Sequence, residues 1–499
     1  MSERTEKIIY IILSAYLCFC AGLLYWAVIM SGSGDGDTLE HVHTAWMVSH
    51  GKIPYVDFFQ HHNPLLWYVG APLVRAYEYS LRAVDAVNIL TVTVNVLAMV
   101  YIYRLHVDFL TNKLGGLIAA GFLLLSHESL FTKDYKPDNF MAAALVIGIY
   151  YLFKYIKERK LYTLVISFLL LFASFMFTQK AALILICIGM VLLYLIYQKK
   201  ISLIDCILAG SLPTLIYAVF LAFLWSKGFL EFYFKANFEL NSHIPAVFYT
   251  RRYIYPSAEM FVPILLSFYA LARCVYSGNI YVRMTAIIFA SEYIIRMYYF
   301  TPFVYYFAFL HAIASIFAGV AAIDMIKRCH WLVWLFVSYF LILGGIYGYI
   351  YSHRITVGDS FKYGAAGLIL ENTNPCDYVL NGYRIGYNLF NKDVDYIWNL
   401  KGQIDVIAAT IGLRPLSDLE GLIRKYRPKI IHGSNYYDTY REYRGDIGVY
   451  PIHWISKKLL NEMYEPLNRD NIYILKPEYQ SYDCRYNPRT KTYEYRDKH

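Results

Sequence analysis

The stretch GDGDTLEHVHTAWMVSHGKIPYVDFFQHHNPLLWY (Gly34–Tyr68) gathers acidic residues, histidines and prolines directly behind the apolar segment Ile8–Met30. About 20 apolar helical residues cross a hydrocarbon slab of roughly 30 Å, so the apolar segment predicts a membrane span. Only the Gly/Asp-rich SGSGDGD follows it, without a clear small-residue cleavage site, and we therefore interpret it as a retained span. The quoted stretch thus places polar chemistry at a membrane surface.

The composition of the whole chain agrees with this interpretation. Of 499 residues, 58% are hydrophobic and 17% are charged, which is too apolar for an ordinary soluble globule of this length. Together with the first run, ten further apolar runs predict an α-helical polytopic membrane protein with about eleven transmembrane helices. The further runs are Ala86–Tyr103, Leu114–Phe131, Phe140–Ile156, Leu161–Phe177, Ala181–Tyr197, Ile201–Trp225, Ala258–Tyr276, Met284–Phe300, Phe303–Ala322 and Trp331–Tyr351.

The lysines and arginines between these runs predict an orientation, because such residues concentrate in short cytoplasmic loops. With the amino terminus in the cytoplasm, the loops on that side contain Arg4, Lys7, Arg104, Lys113, Lys157, Arg159, Lys160, Lys199, Lys200, Arg273, Arg283, Lys327 and Arg328. The odd number of spans then places the loops with Asp37, Asp138, Lys180 and Arg251, and everything after Thr356, in the periplasm or outside the cell. The predicted location is the inner (plasma) membrane.

After Thr356 the composition changes to mixed charge with many tyrosines. Short apolar bursts at Asp377–Gly382, Pro428–Gly433 and Asn471–Lys476 are typical of buried strands, and Leu416–Tyr426 has the spacing of a helix. We therefore predict two domains. Residues 1–355 are predicted to form a transmembrane domain with a long first outer loop at 31–85, and residues 356–499 a soluble extracytoplasmic α/β domain.

The cysteines fit this topology. Cys376 and Cys484 are the two that fall in the predicted extracytoplasmic part, where disulfides persist. The sequence leaves open whether they form a bridge or are two unrelated thiols, because it does not give the distance between their Cα atoms.

Two outer loops carry the candidate chemistry. Asp35, Asp37 and Glu40 lie in the first, and TKDYKPDNF brings Asp134 and Asp138 with two lysines to the second. Carboxylates near apolar surface can act as general bases toward a hydroxyl, and neighbouring cations can hold a phosphate. The alternative for the first loop is a solvated acidic turn that caps the following helix.

These residues resemble a known family. They are similar to the first outer loop of GT-C glycosyltransferases, in the branch of the protein mannosyltransferases, ArnT and the Rgt galacturonosyltransferases. The shared pattern consists of an Asp, an aromatic and His-rich helix, Gly-x-x-Pro-Tyr-x-Asp-Phe and a later Pro. Here the pattern is Asp37, His41–Ser49, Gly51–Phe59 and Asn63-Pro64. KPDNF at Lys136 and TQKAALIL at Thr178 resemble the family's second loop and its lysine-containing loop. The resemblance extends over most of residues 32–197.

The resemblance implies an inverting transfer of a sugar from a polyprenyl-phosphate-sugar to a hydroxyl of a glycan, lipid or protein on the outer face. Asp37 matches the family's catalytic acid, and Asp138 matches its second acidic position, which shapes the acceptor pocket or supports the base. Many members have Asp-Glu where this chain has Asp37-Thr38, so a second carboxylate, if the reaction needs one, would come from Asp35, Glu40 or elsewhere in the chain. The implied acceptor is a cell-envelope glycan such as lipopolysaccharide core, O-antigen or lipid A.

Cations near the outer face are candidates for binding the donor phosphate, since arginine pairs with phosphate oxygens through its rigid fork. Arg296 has the alternative of an ion pair with Glu292 at i,i+4, and Arg251 and Arg252 have that of attraction to lipid headgroups. The candidate substrate-binding residues are Asp35, Glu40, Asp57, His61, His62, Lys136, Lys180, Arg251, Arg252 and Arg296.

The sequence predicts no cofactor. His41 and His43 are two apart on a predicted helix and so do not share a face, and adjacent His61-His62 is not a zinc spacing, although a divalent ion remains an alternative. A nucleotide-sugar donor is disfavoured, because the site faces outward and the sequence has no phosphate-cradling glycine motif. The partners are the lipid-linked donor, the acceptor and the bilayer, with no nucleic acid.

Two other classes of protein remain open. A transporter or flippase of a lipid-linked saccharide would place its site near the bilayer midplane with repeated halves, whereas this chain gathers its acids in outer loops. A non-catalytic envelope-assembly subunit would depend on its C-terminal domain and tolerate changes to Asp37 and Asp138.

Overall fold

The computed structural model of the chain describes residues 3–31, 36–125, 133–243, 258–274, 277–298, 304–357, 360–381, 388–396, 408–415, 417–432, 442–445, 448–451, 455–467, 472–480, 482–487 and 492–497. The chain divides into two compact units. The membrane unit consists of residues 1–31, 88–221 and 251–357. The second unit, which we call the outer unit because it contains the long loop predicted to face outward, consists of residues 32–87, 222–250 and 358–499. The long first loop and the C-terminal residues thus belong to the same unit.

Helices make up most of the described chain. In chain order they are α1 (Glu3–Ser31), α2 (Gly36–Ser49), α3 (Leu65–Ala76), α4 (Arg82–Leu105), α5 (Lys113–Leu124), α6 (Pro137–Glu158), α7 (Leu161–Phe177), α8 (Ala181–Tyr197), α9 (Leu203–Ser226), α10 (Leu230–Phe234), α11 (Ala258–Cys274), α12 (Ile280–Tyr298), α13 (Ala308–Arg328), α14 (Leu332–Val357), α15 (Ser360–Asn372), α16 (Leu419–Tyr426) and α17 (Lys457–Met463). Two π-helical segments, His106–Leu110 and Lys235–Glu239, extend α4 and α10.

Among the described residues, six helices are long and apolar enough to cross a membrane. They lie at Glu3–Met30, Arg82–Leu110, Pro137–Glu158, Leu203–Ser226, Ala308–Arg328 and Leu332–Ile350. The described parts of the other predicted runs also fall on helices, several of which are shorter, such as Leu161–Phe177 and Ala181–Tyr197. A multi-pass α-helical membrane protein is therefore confirmed, while the count of eleven spans and their orientation stay predictions.

Small residues allow close helix packing inside the membrane unit. A Cβ atom on Gly319 of α13 would lie 2.7 Å from the carbonyl oxygen of Gly115 of α5 and 2.7 Å from His106. Such close approach of backbones is the usual way in which membrane helices associate, because hydrocarbon provides no hydrophobic driving force between them.

A mixed five-stranded sheet forms the centre of the C-terminal part of the outer unit. The strands of this sheet are β1 (Tyr378–Asn381), β2 (Lys392–Asp393), β3 (Ile430–His432), β6 (Tyr464–Pro466) and β7 (Ile472–Leu475). Two separate hairpins consist of β4 (Glu442–Gly445) with β5 (Gly448–Pro451), and of β8 (Tyr482–Asn487) with β9 (Thr492–Asp497). The sheet has the order β2-β1-β3-β7-β6, with β1 parallel to β2 and β3, and β7 antiparallel to β3 and β6. The three predicted strands and the predicted helix are all present, which confirms the α/β class.

The core of the outer unit combines residues from distant parts of the sequence. Leu380, Ile431 and Leu475 of the sheet pack in one buried cluster with Phe59 of the first loop and Leu240 of the segment after α9. Burial of such side chains stabilises a fold by about 1.5–3 kcal/mol each. The first outer loop therefore shares its hydrophobic core with the α/β sheet.

Cys376, which precedes β1, is disulfide-bonded, whereas Cys18, Cys20, Cys187, Cys206, Cys274 and Cys329 are free. The sequence suggested Cys484 as its possible partner, and the side chain of Cys484 lies outside the described residues.

We expect Cys376→Ser to lower the free energy of unfolding by about 2–5 kcal/mol, the usual effect of losing a native disulfide. Thermal unfolding of the purified protein, with Cys329→Ser as control, measures this. An unchanged melting temperature for Cys376→Ser would contradict the expectation.

Candidate active site

The first outer stretch folds into α2, which carries Asp37 in its first turn. Asp37 is partly buried, and most of the helix that follows it is buried. A carboxylate in the first turn is stabilised by the positive end of the helix dipole. The helix therefore presents Asp37 from a packed, rigid element, whereas Asp35 lies outside the described residues.

Glu40 lies one turn further along α2 and is 4% exposed. Gln60 Nε2 donates hydrogen bonds to Thr44 Oγ1 at 2.8 Å and to Glu40 Oε1 at 3.4 Å, while the Thr44 hydroxyl donates to the Glu40 carbonyl oxygen at 2.9 Å. These bonds connect Gln60, in the middle of the first loop, to the helix that bears Asp37.

The histidines of the loop divide into two groups, as the helical period predicts. On one side of α2, Trp67 Nε1 donates to His41 Nδ1 at 3.1 Å, and the His62 ring lies 5.7 Å from that of His41 and 4.2 Å from that of His61. His43 instead contacts the C-terminal domain. No three His, Cys, Asp or Glu side chains of the described residues are grouped so as to hold a metal ion.

The motif at Gly51–Phe59 builds a tight turn. Tyr55 has a positive φ of 70°, which is uncommon for a residue with a side chain, and its hydroxyl donates to the His62 carbonyl oxygen. The exposed Asp57 accepts a hydrogen bond from the Ile53 amide at 2.7 Å. The acidic residue of this motif thus has a structural contact within the turn.

The segment after α9 holds the middle of the same loop in place. Tyr233 is fully buried, and its hydroxyl donates to Asn63 Oδ1 at 2.8 Å. Asn241 Nδ2 donates to the His61 carbonyl oxygen at 2.6 Å. Asn63 of the family-like pattern and the candidate substrate-binding residue His61 are therefore held by residues about 170–180 positions later in the chain.

In the membrane unit the structure brings together two residues that the sequence singled out separately. Asp138 lies in the first turn of α6, and Lys180 directly precedes α8. Lys180 Nζ lies 3.0 Å and 3.2 Å from the two carboxylate oxygens of Asp138, whose side chain is 2% exposed. The same ammonium lies 3.3 Å from the centroid of the Tyr306 ring. No motif in the sequence indicated this third partner.

The remaining candidate cations lie in different settings. Lys136 is the N-cap residue of α6 and is 2% exposed. Arg296 Nε donates to Glu292 Oε1 at 2.6 Å, so the i,i+4 ion pair predicted as an alternative is present within α12. Arg251 and Arg252 lie outside the described residues.

A polar cluster that the sequence analysis missed lies at the other end of α2. Glu78 accepts a hydrogen bond from Trp46 Nε1 at 2.7 Å and contacts His50 at 3.0 Å and Arg75 at 2.8 Å. Burial alone would raise the pKa of Glu78, but the hydrogen bonds from His50 and Trp46 lower it below its usual value. The charged carboxylate therefore fastens the C-terminal end of α2 to the region after α3.

Comparison with known proteins rests on structure. No family model and no curated protein sequence matches the chain. ArnT from Cupriavidus metallidurans bound to undecaprenyl phosphate is similar with a TM-score of 0.60 at 10% identity, over 88% of this chain and 97% of that chain. The apo oligosaccharyltransferase of Archaeoglobus fulgidus is similar with a TM-score of 0.51 at 13% identity, over 84% of this chain and 69% of that chain.

A second structure of the archaeal enzyme, AglB in complex with an inhibitory peptide and a dolichol-phosphate, gives a TM-score of 0.50 at 13% identity, over 84% of this chain and 69% of that chain. At such identities the likeness concerns the fold alone. The fold that the chain shares with these structures is the GT-C fold.

Proposed function

We propose that this protein is an inverting glycosyltransferase that moves a sugar from a polyprenyl-phosphate-sugar to a hydroxyl of a cell-envelope acceptor on the outer face of the inner membrane. The observation that carries the proposal is a fold that extends over nearly the whole of ArnT, a protein solved with undecaprenyl phosphate bound. The AglB complex with a dolichol-phosphate supports the same class of lipid donor.

In the proposed reaction the acceptor oxygen forms a bond to the anomeric carbon from the face opposite the phosphate. The bond between the anomeric carbon and the phosphate oxygen breaks, and its electron pair leaves with the polyprenyl phosphate. Asp37 removes the acceptor proton as the new bond forms, which is the step that a general base accelerates. Its place on the buried helix α2 supports this role, because a positioned base needs a fixed support.

The Asp138–Lys180 pair is proposed to provide the second acidic position and a cation for substrate. The Lys180 ammonium contacts both carboxylate oxygens of Asp138, and we propose that this charged pair lies beside a phosphate or a sugar hydroxyl of the substrate. Arg296 uses Nε for Glu292, so phosphate binding by this residue would use its terminal NH2 groups.

The experiment is transfer of labelled sugar to lipopolysaccharide core, O-antigen, lipid A and peptide acceptors by the purified protein in detergent. A panel of polyprenyl-phosphate-sugars provides the donors, and the matching nucleotide sugars provide the controls. We expect product with at least one lipid donor and none with nucleotide sugars. Two results would contradict the proposal: product formed only from nucleotide sugars, or no product from any lipid donor of the panel.

A further inference from the structure

A short segment of the C-terminal domain, Asn388–Tyr396, is firmly attached to its own sheet. Lys392 and Asp393 form β2, the edge strand that pairs in parallel with β1, with Val379 opposite Asp393. Asn391 Nδ2 donates to Thr373 Oγ1 at 3.0 Å. These contacts fix the position of Asp393 relative to the sheet.

The same segment holds α2 at the His43 ring. His43 Nε2 lies 2.9 Å from Asp393 Oδ2, and His43 Nδ1 lies 3.2 Å from the Leu389 carbonyl oxygen. The side chain of His43 is fully buried and that of Asp393 is 13% exposed. Asn388 Nδ2 donates to the other oxygen of Asp393. The two ring nitrogens of His43 thus both lie beside oxygens of the C-terminal domain, and the Asp393 carboxylate is oriented by a further amide.

Apolar and backbone contacts extend this junction on both sides. The Phe390 ring, 1% exposed, lies 6.4 Å from the ring of Trp46, which follows His43 on α2. The Phe59 amide donates to the Tyr396 carbonyl oxygen at 2.9 Å, and the Tyr396 hydroxyl donates to the Tyr55 carbonyl oxygen. Residues 388–396 therefore contact both α2 and the turn that follows it.

This arrangement connects the C-terminal domain to the proposed base. His43 and Asp37 lie on the same helix, six residues apart, which is about 9 Å along the axis at 1.5 Å per residue. An α-helix transmits displacement as a rigid element, so a contact that fixes His43 also limits movement of Asp37. We propose that Asp393 is a positioning residue: through His43 it holds α2 in place, and the C-terminal domain thereby acts as part of the support for Asp37. The catalytic half of this inference rests on the proposed function.

Hydrogen–deuterium exchange of the full-length protein, measured without donor, tests the positional half independently. Asp393→Ala is expected to raise amide exchange across residues 36–49 about tenfold or more, because a hydrogen bond to a charged group is lost, while β3 and β7 change less than about twofold. Asp393→Asn, which keeps one acceptor oxygen, should give an intermediate increase. Glu465→Ala, at an exposed position on the opposite edge strand β6, is the matched control.

Transfer kinetics test the catalytic half. Asp393→Ala should lower kcat about tenfold with the donor KM changed less than about threefold, and Asp393→Asn should restore part of kcat. Unchanged exchange of residues 36–49 in Asp393→Ala would overturn the positional claim, whether or not the protein transfers sugar. Faster exchange with unchanged kcat would overturn the catalytic claim. Absence of transfer in the wild type would reject the proposed function, and the exchange result would still decide whether Asp393 holds α2 in place.

Discussion

Asp37→Asn is expected to lower the rate of sugar transfer about a hundredfold to ten-thousandfold, because the amide cannot take the proton of the acceptor hydroxyl. The substitution keeps the size and shape of the side chain. It also leaves the rest of α2 and its contacts with Gln60 and Asp393 in place. The readout is the initial rate of transfer by purified variants with equal melting temperatures.

Asp418→Asn is the matched control for this substitution. Asp418 is an exposed residue at the start of α16, where it accepts a hydrogen bond from the Gly421 amide at 3.0 Å. Asparagine caps a helix about as well as aspartate, so this variant should transfer sugar at the wild-type rate. Transfer by Asp37→Asn within threefold of the wild type would exclude Asp37 as the base.

Lys180→Met is expected to have the second large effect, on both stability and transfer. The Asp138 carboxylate is 2% exposed and would lose the ammonium that contacts both of its oxygens. An unpaired buried charge destabilises a protein by about 3–5 kcal/mol. Loss of a hydrogen bond from a charged donor to substrate, about 1.5–3 kcal/mol, would lower transfer by roughly ten- to a hundredfold.

The double variant Asp138→Asn/Lys180→Met separates the two effects. Removing both charges should recover most of the lost stability, whereas transfer should stay at least tenfold below wild type. Lys160→Met is the surface control, since Lys160 is 58% exposed and pairs with Glu158 at 3.4 Å, a type of pair worth about 0–1 kcal/mol. Recovery of transfer together with stability would show that the pair has only a structural role.

Much of the fold could be predicted from local patterns. Hydropathy located the helices because each span must satisfy its backbone internally within the hydrocarbon. The strands at β1, β3 and β7 were visible as short apolar bursts, and the helical period separated His41 from His43. The π-helical segment at Lys235–Glu239 had no comparable signal, because its extra residue per turn depends on packing.

The site was predictable only as a set of separate positions. Asp138 and Lys180 both stood in family-like motifs, but their contact depends on how α6 and α8 pack. Asp393 stood in no motif, and it is 350 residues away from its partner His43. The sequence assigned the first loop to the membrane domain, while the structure gives that loop a hydrophobic core in common with the C-terminal sheet. Such long-range contacts leave no periodic pattern in a single sequence.

The measurement that tests the central claim most directly is release of free polyprenyl phosphate from a polyprenyl-phosphate-sugar by the protein in liposomes, with and without acceptor. Cleavage of the bond between the anomeric carbon and the phosphate oxygen predicts one polyprenyl phosphate for each sugar transferred, only when acceptor is present, and at least a hundredfold less with Asp37→Asn. Movement of the intact lipid-linked sugar across the bilayer without cleavage would contradict the account and identify a transporter.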